Sequence, residues 1–298
     1  MHHAVPAIVR LESYPIDTYI NCAANVKHFS AGTDIEDINI GGVKNAIDFC
    51  KKIKCRLIQV STYSVAGNRI GDTPKKGSKL DETSLYFGQD LSNKYVNSKF
   101  MAERIVLEAA TEGLDAKIMR AGNLMARADG EFQINFNTNS FLGILKAYNI
   151  IGSVPYDLLN EAVELSPIDY SAHALLTLSA APEECTVFHI YSNHTVFYRD
   201  IFNSLDENDI LIRRLELSDW INEYNDALKD QEKAKYLLSL FAYKSREGHQ
   251  EAAPISADNA YTIQALDRFG LHWPITSDGY MLRFMDAIKG LGFFDYGS

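Results

Sequence analysis

Apolar residues along this chain fall into short runs and helical stripes that alternate. Tyr19-Ile20-Asn21-Cys22-Ala23-Ala24 reads as a short buried strand ending in small residues. From Asp34 to Lys52, Ile38, Val43, Ile47 and Phe49 recur at roughly helical spacing and predict a helix, weakened by the internal pair Gly41-Gly42. Arg56-Leu57-Ile58-Gln59-Val60-Ser61 predicts a second strand. The polar stretch from Asn68 to Ser92 contains Gly71, Pro74 and Gly77 and reads as a loop. Asn93 is placed to cap a helix running to Thr111, because Ala102, Ile105, Val106 and Ala109 form one apolar stripe. Lys117-Ile118-Met119-Arg120 is a third strand. Strand, helix, strand, helix, strand in this order predicts a parallel sheet with crossover helices.

A Gly/Asn/Asp-rich excursion runs from Ala121 to Asn139. The pattern then predicts a helix over Phe141 to Asn149, a strand at Val163-Glu164-Leu165, a helix over Asp169 to Ala181 and a strand over Val187 to Tyr191. Beyond Asn193 the chain is helix-rich and more charged, with Glu216 to Lys244, Asp258 to Phe269 and Gly279 to Lys289 as helical segments. The expected organisation is a sheet-based core over residues 1–192, of which 124–160 contribute to a second lobe, and a helical lobe over 193–298. Trp220 and Trp273 read as packing residues of that lobe.

Composition narrows the class. The 298 residues are 46% hydrophobic and 23% charged, which suits a globular chain, and the net charge of -10 disfavours a duplex nucleic-acid binder. No run of about 18 apolar residues is present, so no membrane span is expected, and no signal-peptide pattern opens the chain. A cytoplasmic location is the expectation. Cys22, Cys50, Cys55 and Cys185 form no CxxC pair and read as buried free thiols. No metal site is expected, since His189 and His194 straddle a strand and a loop.

Candidate chemistry centres on Tyr95-Val96-Asn97-Ser98-Lys99, which puts a phenol and an ammonium one helical turn apart. A cation beside a phenol favours the phenolate, and a tyrosine tuned this way gives a proton to a carbonyl oxygen as a hydride reaches the carbon. Val60-Ser61-Thr62-Tyr63-Ser64 closes a strand where open α/β sheets bind ligands. Thr62 is placed to donate to the same oxygen. The small residues after Asn21 leave room for a flat ring or ribose near the backbone. Phe132, Gln133, Asn135 and Asn139 are candidates for a substrate mouth or for turn contacts.

These segments resemble the extended short-chain dehydrogenase/reductases and, more closely, the thioester reductase domains of nonribosomal peptide synthetases and carboxylic acid reductases. The resemblance rests on 20–29 (INCAANVKHF), Asn39-Ile40-Gly41-Gly42-Val43, Val60-Ser61-Thr62 and Gly88-Gln89-Asp90. It continues through Tyr95 to Glu103, Arg120-Ala121-Gly122-Asn123-Leu124, Asp129 to Asn135 and Ser166-Pro167-Ile168-Asp169. It implies a truncated Rossmann-like α/β sheet with flanking helices and a helix-rich C-terminal substrate lobe. It implies Thr62, Tyr95 and Lys99 as the catalytic set, with Lys99 lowering the Tyr95 pKa and holding the nicotinamide ribose. Ala23, Ala24, Ser61 and Asn123 would line the cofactor cleft with Tyr95 and Lys99. The implied reaction is NADPH-dependent release of a thioester from a phosphopantetheinylated carrier protein as an aldehyde or alcohol.

The family's usual opening is a strand, a Gly-rich turn and a helix that cradle the pyrophosphate. No glycine precedes Tyr19, and neither a Gly-rich fingerprint nor a P-loop occurs in the sequence. The expectation is a chain without the leading βαβ units, truncated or naturally reduced, and weakly active or inactive alone. Its first strand becomes an edge open to self-association or covered by Ala7 to Leu11. Two alternative readings are a non-catalytic carrier-binding module and a nucleotide-sugar epimerase or dehydratase. Ala121 disfavours the second, where such enzymes more often carry proline.

Overall fold

Leu57, Ile58 and Val60 give Arg56–Thr62 the near-continuous apolar character of a strand covered on both faces. It lies within a parallel sheet. The computed structural model describes residues 14–26, 32–132, 136, 139–244, 253–276 and 279–295. Its elements are β1 (Thr18–Asn21), α1 (Gly42–Ile53), β2 (Arg56–Thr62), β3 (Asn68–Arg69), α2 (Lys94–Thr111), β4 (Ala116–Ala121) and β5 (Leu124–Met125). Next come α3 (Ser140–Ile151), β6 (Ser153–Pro155), β7 (Ala162–Val163), β8 (Ser166–Pro167), α4 (Ile168–Ser179), β9 (Val187–Ile190) and β10 (Val196–Phe197). The remainder is α5 (Tyr198–Glu207), β11 (Arg213–Leu215), α6 (Leu217–Lys229), α7 (Gln231–Lys244), β12 (Ala253–Pro254), α8 (Ala260–Arg268) and α9 (Gly279–Gly290).

The chain divides into two units. The first comprises Met1–Ala121, Leu175–Ile190 and Ala252–Gly270. Its sheet has the order β1-β2-β4-β9, with every pairing parallel. Val43, Ala46, Ile47 and Cys50 of α1 meet Ala102, Val106 and Ala109 of α2 over Leu57, Ala116 and Ile118 of the sheet. Each side chain there removes apolar surface from water, contributing roughly 25 cal/mol per Å². The segment from β12 to α8 returns to this unit, whereas a boundary at 192 assigns it to the helical lobe. β12 pairs antiparallel with β3, Asp258 N donates to Leu80 O at 2.7 Å, and Ile255 packs with Val65, Ala66 and Leu80.

The second unit comprises Gly122–Ala174, Tyr191–Glu251 and Leu271–Ser298. Leu142 and Leu145 of α3, Ile201 and Phe202 of α5, and Phe284 and Ile288 of α9 share its apolar core. Trp220 is buried in that core, and its Nε1 donates to Ser153 O at 3.1 Å. Trp273 is buried in a segment without regular structure.

Several expectations need correction. The first strand is not buried: among the described residues β1 pairs only with β2, Ile20 is 37% exposed, and Cys22 and Ala23 are exposed. An apolar run signals burial only when something covers both faces and both edges. The helix expected over Asp34 to Lys52 is interrupted by a π-helical segment, Asp37–Gly41, immediately before Gly42 opens α1. Of the thiols, Cys50 and Cys55 are buried, Cys22 is exposed and Cys185 is intermediate. Ala7 to Leu11 lies outside the described residues.

Candidate active site

The reacting face begins with the two ends of one connection, the carboxyl end of β2 and the amino end of α2. Asn93 has extended backbone angles, and its Oδ1 accepts the Val96 N–H at 3.1 Å, which caps α2. Tyr95 therefore lies in the first helical turn, where the helix dipole favours negative charge. Thr62 ends β2, and its Oγ accepts the Ser64 N–H at 3.1 Å, which leaves the Thr62 proton free to donate. The Thr62 and Tyr95 side chains are hydrogen-bonded to each other. One turn beyond Tyr95, Lys99 is only 4% exposed, and its Nζ donates to Val60 O at 2.7 Å.

The electrostatics differ from the sequence expectation. Burial raises the Tyr95 phenol above the ordinary tyrosine value, and the bond with Thr62 opposes that rise. Burial, not Lys99, thus dominates the phenol. Lys99 is itself desolvated and pulled down to about 8, with Glu103 and then Cys22 opposing the fall.

Beside this cluster, the segment after β1 is tied down by side-chain amides. Asn21 Nδ2 donates to Gln59 Oε1 at 2.9 Å, and Asn21 Oδ1 accepts from Ala23 N at 3.3 Å. Asn39, in the π-helical segment and 2% exposed, accepts from Asn25 N at 2.7 Å and donates to Asn25 O at 3.0 Å and Ser98 Oγ at 2.9 Å. Ser98 in turn donates to Tyr95 O at 2.7 Å. Asn39 thereby fixes the Ala23-Ala24 turn against α2. Its sequence signal was faint: a polar residue where a helix interior was expected, just before two glycines.

Ser61 is turned elsewhere. Its hydroxyl donates to Glu103 Oε1 at 2.5 Å. In the second unit, Asn123 donates its backbone N–H to the Glu164 carboxylate and its Nδ2 to Glu164 O at 3.0 Å. A Cβ on Gly122 would lie 2.2 Å from Glu164 Oε2 and 2.6 Å from Tyr191 Cβ, so this backbone admits only glycine. Burial lifts the Glu164 carboxyl to about 7 against hydrogen bonds from Ser166, Asn123 and Ser192. Asn139 caps α3 through Leu142 N and Phe132 packs on Phe284, so both serve local structure. Gln133 and Asn135 lie outside the described residues. Among the described residues no cluster of three His, Cys, Asp or Glu side chains forms a metal site, and no helix is long and apolar enough to cross a membrane.

The chain resembles a thiolation-reductase di-domain from an archaeal nonribosomal peptide synthetase, with a TM-score of 0.85 and 34% identity over 97% of this chain and 61% of that one. It shares its fold with the terminal R domain of the myxalamid PKS-NRPS pathway, with a TM-score of 0.82 and 20% identity over 99% of this chain and 73% of that one. It is 29% identical to isonitrile lipopeptide synthase of Streptomyces coeruleorubidus over 239 residues, 76% of this chain and 15% of the synthase. The chain thus spans only a part of these relatives. Residues 9–175 match the model of the Male sterility protein family, NAD_binding_4. With more than half its length in that match, the Tyr95–Lys99 helix included, the chain belongs to this NAD-binding family.

Proposed function

We propose that this chain is the reductase portion of a nonribosomal peptide synthetase-type enzyme, releasing a carrier-bound acyl or peptidyl thioester as an aldehyde or alcohol with NADPH. The observation that carries this reading is the Thr62–Tyr95 hydroxyl pair, with Lys99 one turn away, at the carboxyl end of β2. Thr62 donates to the thioester carbonyl oxygen, and Tyr95 gives that oxygen its proton. The raised phenol suits the task, because Tyr95 stays protonated at neutral pH until the oxygen takes on negative charge. The amino end of α2 and the Lys99 ammonium then stabilise the phenolate left behind. Collapse of the hemithioacetal expels the pantetheine thiol and leaves the aldehyde.

The residues present fit the nicotinamide end of the cofactor. Ala23 is exposed and Ala24 half-buried after β1, so the turn held by Asn21 and Asn39 offers open backbone with small side chains. When bound, the cofactor supplies the hydride. Lys99 would hold its ribose. Ser61 is left out, because its hydroxyl is committed to Glu103. No Gly-rich turn of the dinucleotide-binding type occurs among these 298 residues.

A phosphopantetheinylated carrier domain is the partner this reaction requires, and cytoplasmic conditions suit it. Among the described residues β1 has a strand neighbour on one side only and Ile20 is exposed, which supports self-association through strand pairing; light scattering of wild type and Ile20→Lys would test it. The test of the reaction is loss of reduced-nicotinamide absorbance on adding a carrier-bound or CoA thioester. Tyr95→Phe should slow it by about 100-fold or more. A Tyr95→Phe protein at full rate would overturn the assignment.

A further inference from the structure

Behind the reacting face lies a buried charged row. Ser61 of β2 is in register with Arg120 of β4, and Arg120 with His189 of β9. Strand pleating sends directly opposed residues to the same face, so the three side chains form one row across the sheet. Glu103 of α2 closes on that row. Arg120 and Glu103 are both completely buried.

All five guanidinium N–H groups have partners. Arg120 Nε lies 3.2 and 3.1 Å from the two Glu103 oxygens, and Nη2 is 2.8 Å from Oε2. The remaining donors reach Asp81 O at 3.1 Å, Ser84 O at 2.9 Å and His189 Nε2 at 2.9 Å. Burial and Arg120 pull His189 down to about 4, so it is neutral. Its Nε2 accepts from Arg120, so its Nδ1–H donates to Asp258 O at 2.6 Å. The row therefore adds one cation and one anion, with the anion on the helix that carries Tyr95 and Lys99.

Glu103 follows Lys99 by four residues, which places both on one face of α2. The other titratable groups around Lys99 are Cys22 from the end of β1 and Tyr95 one turn earlier, with Arg120 beyond Glu103. Among the described residues Glu103 is thus the carboxylate that acts on a nearly buried ammonium whose hydrogen-bond acceptor is the neutral Val60 carbonyl. The two-point bond from Arg120 and the bond from Ser61 fix where this carboxylate sits on the helix.

We propose that Glu103 is a positioning residue of the reductive site: fixed by Arg120 and Ser61, its carboxylate holds Lys99 as an ammonium beside the Thr62–Tyr95 pair. This rests on the reading of Lys99 given above and extends it to a residue that touches neither substrate nor cofactor. The role separates from simple packing because it is read in the charge of Lys99, not in the stability of the fold.

The test is the pH titration of the Lys99 Cε resonance in protein carrying carbon-13 lysine, assigned by its disappearance in Lys99→Met. Glu103→Gln keeps the size of the side chain and removes its charge; it should lower the Lys99 midpoint by about 1 pH unit. Glu103→Asp, which draws the charge back by one methylene, should lower it less, and Ser61→Ala should leave it within about 0.2 unit. A folded Glu103→Gln protein with the wild-type midpoint overturns the proposal. Should Glu103→Gln not fold, Glu103→Asp decides: a downward shift of about 0.3 unit supports the proposal and no shift overturns it. A Tyr95→Phe protein that reduces the thioester at the wild-type rate would sink the reading of the site, whereas a Lys99 midpoint indifferent to Glu103 would sink this inference alone.

Discussion

Replacing Lys99 by methionine removes a buried charge from the reacting face, and its effect on stability should depend on pH in a defined way. Lys99 sits near 8 in the folded chain against an ordinary value of 10.5. At 1.36 kcal/mol per unit, folding the ammonium costs about 3 kcal/mol more than folding the neutral amine. Below pH 8 the amine is charged in both folded and unfolded chains, so wild type carries the full cost. Between pH 8 and 10.5 the folded chain loses the proton first while the unfolded chain keeps it. Wild-type stability therefore gains about 1.4 kcal/mol per pH unit from this residue across that window. Lys99→Met has no such group and leaves the Val60 carbonyl without its donor, a constant loss of about 1–3 kcal/mol. Urea unfolding of both proteins from pH 6.5 to 10 measures the difference, in which other titrations cancel. The stability of Lys99→Met relative to wild type should fall by up to about 3 kcal/mol as pH rises through the window. A difference that stays flat, or moves the other way, would refute the claim that Lys99 is a desolvated ammonium.

Other consequences follow from the same geometry. Asn39→Ala should cost about 1–3 kcal/mol, since it strands Asn25 N and O, and should raise hydrogen exchange at Asn25 and Val26. His189 is held down to about 4, so the unfolded chain binds its proton first as pH falls from 6.5; stability should drop by up to about 3 kcal/mol across that range, and His189→Gln should flatten the drop in a urea series. Gly122→Ala forces a methyl group onto Glu164 and Tyr191 and should destabilise the protein by about 1–3 kcal/mol in denaturant titration.

What could be seen in the sequence was local. The Asn93 cap, the helix it opens and the Tyr95–Lys99 spacing depend on residues within one or two turns, and each element formed where the pattern placed it. The parallel β2–β4–β9 ladder followed from alternation of strands and helices. What was hidden depends on partners distant in the chain. Asn39 acquires its role from Asn25 and from Ser98, 59 residues away, and Ser61 from Glu103, 42 away. No periodicity reports such pairs. Arg120 and His189 read as strand residues, and only the strand register brings them together. The return of β12 to β3 was invisible because two-residue strands carry no pattern. The Tyr95 expectation failed for a different reason: spacing reveals which charges are near, but not how much water a fold removes from each of them.

In the proposed reaction a threonine and a tyrosine hydroxyl act together on a carbonyl carbon that receives a hydride. Following deuterium from reduced nicotinamide labelled at C4 into the product aldehyde, by mass spectrometry, tests it most directly. Wild type should deliver the label to the former thioester carbon, Thr62→Val should deliver it more slowly, and Tyr95→Phe should deliver essentially none. Equal label transfer by all three proteins would contradict the account.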